Sequence, residues 1–159
     1  MIRIAEDTRL FSFRVAGLLI QDDHILVQRA VGDDFWALPG GRAEIGETSE
    51  QTLIREMQEE LDRDISISRL LFSVESFFDW RGKSVHELSL IYLIALTVPF
   101  PFHPSEVVHR IHDGVDVEFR WVAAKKNAMA EANVVPDFLA GHIDRLPESS
   151  LHVIRHDPT

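Results

Sequence analysis

The chain reads as an α/β protein, a mixed β-sheet held between α-helices, and three features predict it. Residues 10–21 and 24–29 are two alternating apolar runs separated by Asp22-Asp23, the pattern of a β-hairpin. Residues 48–61 contain neither Pro nor Gly and carry Leu53, Ile54, Met57 and Leu61 at helical spacing. The longest apolar run, Leu88 to Val98, is too short to span a membrane and fits a buried strand.

The remaining elements follow from local chemistry. Ala30 to Phe35 is a polar loop around Gly32, and Ala37 to Gly46 is a second loop. Thr48 is placed to cap the following helix, with Gln51 three residues on as its capping-box partner. Ile65 to Phe78 supplies one or two strands, and Asp79 to Lys83 turns around Gly82 into a long strand, Val85 to Val98. Pro99 to His112 contains three Pro and reads as a loop, followed by a strand over Val115 to Val122. Ala123 to Ala132 and Pro136 to Leu146 read as helices, the second with Pro near its first turn. Pro147 to Thr159 reads as a loosely held tail. No repeat or low-complexity linker divides the 159 residues, so residues 1–159 are expected to form one domain around a substantial core.

Composition narrows the function. The net charge is −10 and no basic patch is visible, which argues against a nucleic-acid partner. A phosphorylated small molecule would also be repelled unless cations bridged it to carboxylates. The absence of Cys excludes disulfides, thiolate catalysis and a Cys-based zinc site. The eight His are scattered without an HExxH pattern, so no His metal site is expected. The charged N-terminus MIRIAEDTR lacks a signal-peptide core, and a cytoplasmic protein without membrane association is expected.

The helix over 48–61 carries the chemistry. At about 100° per residue, Glu60 falls on the edge of the apolar arc, Glu56 beside it and Glu59 beyond. Three carboxylates therefore share one flank near buried surface. Like charges at i,i+4, here Glu56 and Glu60, cost about 0.2–0.5 kcal/mol even in water, and more where the dielectric falls. Arg55 can pair with Glu59 and relieve part of this. A solvated acidic face is the ordinary explanation for such a helix. The turn Leu38-Pro39-Gly40-Gly41 and the spacing to Glu47 favour a site for divalent cations instead.

The segment Gly41 to Glu60, GRAEIGETSEQTLIREMQEE, resembles the Nudix box, G-x5-E-x7-R-E-U-x-E-E-x-G-U, where U is a bulky aliphatic residue. Gly41 and Glu47 take the first two positions, Arg55 and Glu56 the R-E pair, Met57 the U, and Glu59 and Glu60 the E-E pair. Asp62 stands where the pattern has Gly, and Arg63 where it has an aliphatic residue. Asp tolerates the left-handed conformation of a helix C-cap better than most residues, and Ile65 is placed to supply the apolar contact. Both departures affect helix termination. The segments Arg14 to Gln28, Phe35 to Gly41 and Phe119 to Val122 are also similar to the family, so the resemblance covers about residues 10 to 125.

The resemblance implies a Nudix fold, an α/β/α sandwich, and Mg2+-dependent hydrolysis of a nucleoside diphosphate linked to another group, with Mn2+ as a possible substitute. It implies Glu56, Glu59 and Glu60 as metal ligands, joined by the Gly40 carbonyl, with one carboxylate serving the attacking water. Arg55 would orient the Glu side chains, Glu47 would brace the helix N-terminus, and Gly41 would permit the tight turn. A further acid from before the last core strand is open among Asp113, Asp116 and Glu118, with Glu106 weaker. Arg29, His86, Glu87 and Trp80 are candidate substrate contacts, whereas Trp36 and Trp121 fit the core. Surface solvation is the ordinary explanation for Arg29, and a strand-end surface pair that for His86-Glu87. Asp79 and Trp80 stand where ADP-ribose and dinucleoside-polyphosphate enzymes tend to carry Pro and Tyr. Signatures for coenzyme A and NADH are not visible. The partner implied is a small-molecule nucleotide, and a homodimer is plausible. The rival reading is a Nudix-like nucleotide sensor without catalysis; such modules generally lose box carboxylates, and all three are present here.

Overall fold

The computed structural model describes residues 1–100 and 103–157. Its strands are β1 (Arg3–Ala5), β2 (Arg9–Gln21), β3 (His24–Ala30), β4 (Trp36–Ala37), β5 (Gly40–Arg42), β6 (Ile65–Trp80), β7 (Lys83–Leu96), β8 (Val107–His112), β9 (Val115–Ala123), β10 (Val134–Val135) and β11 (Leu151–His156). Helix α1 spans Ser49–Leu61 and α2 spans Lys126–Glu131, and a 3-10 turn covers Asp137–Gly141.

The sheet is mixed, as the sequence predicts. Its main path runs β10-β4-β3-β2-β7-β6-β11. The β2–β7 and β6–β11 pairs are parallel, while β6–β7, β2–β3, β3–β9 and β8–β9 are antiparallel. Each face carries its own core. On one, Leu53, Met57 and Leu61 of α1 pack with Val15, Leu19, Tyr92, Phe119 and Trp121. On the other, Met129 of α2 and Leu139 after it pack with Leu18, Val27, Phe72 and Ile91. The α/β sandwich is therefore present, with α1 as the only helix longer than six residues among the described residues.

Three expectations are corrected. The expected loop Pro99–His112 contains β8, which pairs with β9 across Asp113-Gly114. Both turn residues have positive φ, 48° and 76°, as a two-residue hairpin turn requires. The expected helix over Pro136–Leu146 shortens to the 3-10 turn, because Gly141 offers no helical preference and His142 donates back to Leu139 to close it. The expected loose tail contains β11, which continues the sheet beside β6, with Leu151 opposite Phe72 and His156 opposite Phe77. Pro101 and Phe102 of the expected loop, and Pro158 and Thr159 of the tail, lie outside the described residues.

Helix α1 begins and ends as its sequence dictates. Thr48 accepts from the Gln51 amide at 3.1 Å, and the Gln51 side chain accepts from the Thr48 amide at 2.9 Å, a complete capping box. Asp62 closes the other end in the left-handed region, φ 53°, and its carboxylate accepts from the Gln58 side chain at 2.7 Å. The cap thus takes the conformation for which Gly is ordinarily used. We expect Asp62→Ala to cost about 1 kcal/mol in urea unfolding and Asp62→Gly to stay within about 0.5 kcal/mol of the parent, since relief of the backbone offsets the lost side-chain bond. Equal losses in the two variants would contradict this account of the cap.

Candidate metal and phosphate site

The buried face of α1 is unusual in what it contains. Thr52, Leu53, Glu56, Met57, Glu60 and Leu61 are buried, whereas Ile54, expected in the apolar stripe, is 46% exposed. Glu56 and Glu60 retain only 7% and 8% exposure. The carboxylates expected on the edge of the core therefore lie within it, and Glu59 faces outward, as its position on the helix requires.

Arg55 organises this flank. Its Nε and Nη2 donate to the two carboxylate oxygens of Glu47 at 2.8 and 3.1 Å, a bidentate pair. Nη1 donates to Glu56 at 2.8 Å and to Glu59 at 3.2 Å, and Nη2 also reaches the Arg42 carbonyl at 3.2 Å. Glu47 accepts further bonds from the Thr52 hydroxyl at 2.9 Å and the Glu44 amide at 3.2 Å. Arg55 and these bonds hold the Glu47 carboxyl well below the usual carboxylate range, and Glu47 in turn raises the Arg55 pKa.

The Gly40-Gly41 turn lies directly against Glu56. A Cβ on Gly41 would fall 2.1 Å from the Glu56 carboxylate carbon, so a side chain there would displace the carboxylate. Gly40 adopts φ 150° with Val15 and Ala16 backbone packed where its Cβ would be. Its carbonyl accepts from the Gln28 side chain at 3.3 Å and keeps a second lone pair.

Glu60 is one of four side chains with a buried unpaired polar atom, beside Gln28, Arg42 and Arg63, among the described residues. Its Oε2 is buried without a hydrogen-bond partner among the described residues. Burial pushes its pKa up to about 8; Arg14 opposes that shift, and Glu56 and Glu59 add to it. Ligand atoms of Glu56, Glu59 and His112 lie within 4.8 Å of one another. That group does not include Glu60; its oxygen donors and clustered negative charge fit a divalent cation of the magnesium or manganese type.

Glu60 also lines a cleft of about 440 Å³. The cleft is bounded by Arg14, Arg29 and Arg42, by Trp80, and by the polar residues Ser12, Ser76, Glu87 and Ser89. Burial and the neighbouring Arg14 and Arg3 lower the Arg42 pKa, and Arg42 Nε has no partner among the described residues. The cleft is of mixed charge: Arg14, Arg29, Arg42 and Arg155 line it together with Asp33, Glu60, Asp79, Glu87 and Asp157. Glu87 accepts from Ser12 and Ser89, each at 3.0 Å.

The expected substrate contacts divide. Arg29, Glu87 and Trp80 line the cleft. Arg29 also pairs with Glu118 at 2.7 Å and lies 4.3 Å over the Trp36 ring. Trp80, 37% exposed, lies under Arg81. His86 does not join them: strand alternation turns it to the opposite face, where it stacks on Phe77 at 4.4 Å beside Phe11. Trp36 and Trp121 are core residues, as expected. Of the acids expected to join the site, Glu118 is tied to Arg29, whereas Asp113 and Asp116 are exposed and Glu106 lies on the exposed approach to β8. The residue that the β8–β9 hairpin brings to α1 is His112, which no spacing motif singled out. The signal that could have found it was Asp113-Gly114 between β-branched residues, a hairpin turn.

Residues 11–140 match the model of the NUDIX domain, and this chain belongs to the Nudix family. A Bacillus subtilis (strain 168) relative, YjhB, whose name proposes an ADP-ribose pyrophosphatase, is 37% identical over 62 residues, covering 39% of this chain and 30% of its own length. The 8-oxo-dGTP diphosphatase of Proteus vulgaris is 48% identical over 44 residues, covering 28% of this chain and 39% of its own. The chain thus spans well under half the length of these curated relatives. Among solved structures, a UDP-X diphosphatase superposes with TM-score 0.58 at 18% identity, over 94% of this chain and 69% of its own, which shows a shared fold. Among the described residues no helix is long and apolar enough to cross a membrane.

The buried Glu60 predicts how stability responds to pH. Its folded pKa, about 8, exceeds the ordinary 4.5. Between those values the folded chain keeps a proton that the unfolded chain loses, so stability falls as pH rises through the window. We expect the melting temperature of the metal-free protein to drop by on the order of 10 °C between pH 5 and 8.5, and Glu60→Gln to flatten that slope. An unchanged slope in the variant would contradict the assignment.

Proposed function

We propose that this chain is a divalent-cation-dependent Nudix pyrophosphohydrolase acting on a nucleoside diphosphate linked to another group. The observation that carries the reading is the burial of Glu56 and Glu60 beside a cleft edged with arginine. Burying two carboxylates on one helix face is costly unless a cation compensates them. Glu56, Glu59 and Glu60 would hold the cation, with the Gly40 carbonyl beside Glu56. A bound Mg2+ or Mn2+ supplies charge neutralisation at the phosphoryl oxygens and lowers the pKa of water.

The chain's own residues do the rest. Arg55 keeps the Glu56 and Glu59 carboxylates aimed, and Glu47 locks the guanidinium that aims them. Arg14, Arg29 and Arg42 attract the diphosphate into the cleft and fix its orientation, which lowers the entropic part of the barrier. One of the box carboxylates takes the proton of the attacking water as the bond from phosphorus to the bridging oxygen breaks. Trp80 at the rim offers a face on which a base or sugar can pack. Relatives named for ADP-ribose and for 8-oxo-dGTP leave the attached group open. The same chemistry serves nucleoside triphosphates and nucleotide sugars.

The test is release of phosphate-containing products from nucleoside triphosphates, 8-oxo-dGTP, ADP-ribose, nucleotide sugars and diadenosine polyphosphates, with Mg2+ and with EDTA. We expect cleavage of at least one, abolished by EDTA, and a loss of about 100-fold or more in kcat/KM for Glu60→Gln with the melting temperature retained. Binding without cleavage across the panel would point to a sensor, and near-normal turnover by Glu60→Gln would refute the site.

A further inference from the structure

We propose that His112 is a nitrogen ligand of the cation held by Glu56 and Glu59, and that it biases this site toward Mn2+ over Mg2+. The inference rests on the divalent-cation site proposed above and goes beyond the all-oxygen set of Glu side chains and glycine carbonyl.

Three observations carry it. The first is proximity: one ring nitrogen of His112 and one oxygen each of Glu56 and Glu59 fall within 4.8 Å of one another, a span that a single ion can bridge. The second is that backbone pairing fixes the position of His112. The hairpin has His112 opposite Val115 across the Asp113-Gly114 turn, and β9 continues along β3 with Val117 opposite Ala30. The Val31 amide donates to the Asp116 carbonyl at 2.9 Å, and Arg29 pairs with Glu118, so the base of the hairpin is fastened to the edge of the cleft. The third is charge: Glu56 and Glu59 share one guanidinium, Arg55 at 2.8 and 3.2 Å, which is itself bidentate to Glu47, so three carboxylates meet a single cationic side chain.

The acids of the hairpin do not compete for this role. Glu118 is engaged by Arg29, and the Asp113 side chain is 89% exposed. His112 Nε2 lies 3.6 Å from the Asp113 carboxylate, beyond normal hydrogen-bond length. His112 is partly buried, so it reaches a cation with little further desolvation.

Ligand type determines the preference. Mg2+ favours oxygen donors, whereas imidazole suits first-row transition ions, for which Mn2+ is the most magnesium-like member. Replacing one oxygen position by imidazole therefore strengthens Mn2+ relative to Mg2+.

The test is pulsed electron paramagnetic resonance of Mn2+ added to the full chain, read for nitrogen modulation, with Mn2+ and Mg2+ titrated by calorimetry. We expect imidazole nitrogen coupling in the parent and its loss in His112→Gln. We also expect Mn2+ affinity to fall about tenfold in that variant while Mg2+ affinity changes much less. His112→Asn serves as a second variant, and metal-free melting curves confirm that both fold. Tight Mn2+ binding without nitrogen coupling would overturn the role of His112 and leave the carboxylate site standing. Absence of Mn2+ binding in the parent would overturn both.

Discussion

The burial of Glu56 and Glu60 on the core-facing side of α1 is the constraint around which the rest of the site is arranged. A helix whose inward face read Leu, Met and Leu alone would be easier to fold. Two buried carboxylates within that face cost stability, and at Glu60 burial, Glu56 and Glu59 all oppose the charge. The protein compensates Glu56 with Arg55 and leaves Glu60 short of a partner. Local stability is thus given up at the place where function needs negative charge, and the hydrophobic packing of α1 on β2, β7 and β9 supplies the offset.

Arg55 links structure to chemistry. It is bidentate to Glu47, which is bonded to Thr52 and the Glu44 backbone, and it reaches two of the candidate metal ligands. Lys could not reproduce this fork of donors. Gly41 completes the arrangement from the other side by having no Cβ, so the main chain can lie against the Glu56 carboxylate. Arg14, Arg29 and Arg42 then bring guanidinium groups into a cleft that also holds Glu60 and Glu87.

Much of this was legible in the sequence, for identifiable reasons. The Thr48–Gln51 capping box and the helix it starts are local in the chain, and local chemistry determines them. The box residues sit at fixed spacings in one short segment, which the resemblance to the family picks out. The β2–β3 hairpin alternates because one face is buried. Strands β8 and β11 were not legible because both are edge elements with largely exposed side chains, so neither carries the alternation that burial imposes. The short turn over Asp137–Gly141 looked helical because Pro136 resembles a helix start, while its length depended on Gly141. His112 escaped notice because its neighbours in space come from α1, remote in sequence, and only the hairpin turn unites them. His86 and Glu87 were expected together; adjacent residues of a strand point to opposite faces, and only Glu87 reaches the cleft.

The central proposal is that Glu60 is a ligand of a divalent cation, and proton release on metal binding tests it most directly. Calorimetric titration of Mg2+ at pH 7 in buffers of different ionisation enthalpy reports the protons displaced. With a Glu60 pKa of about 8, cation binding should displace about one proton per site, and Glu60→Gln should release almost none. Binding of Mg2+ without proton release in the parent protein would contradict the account.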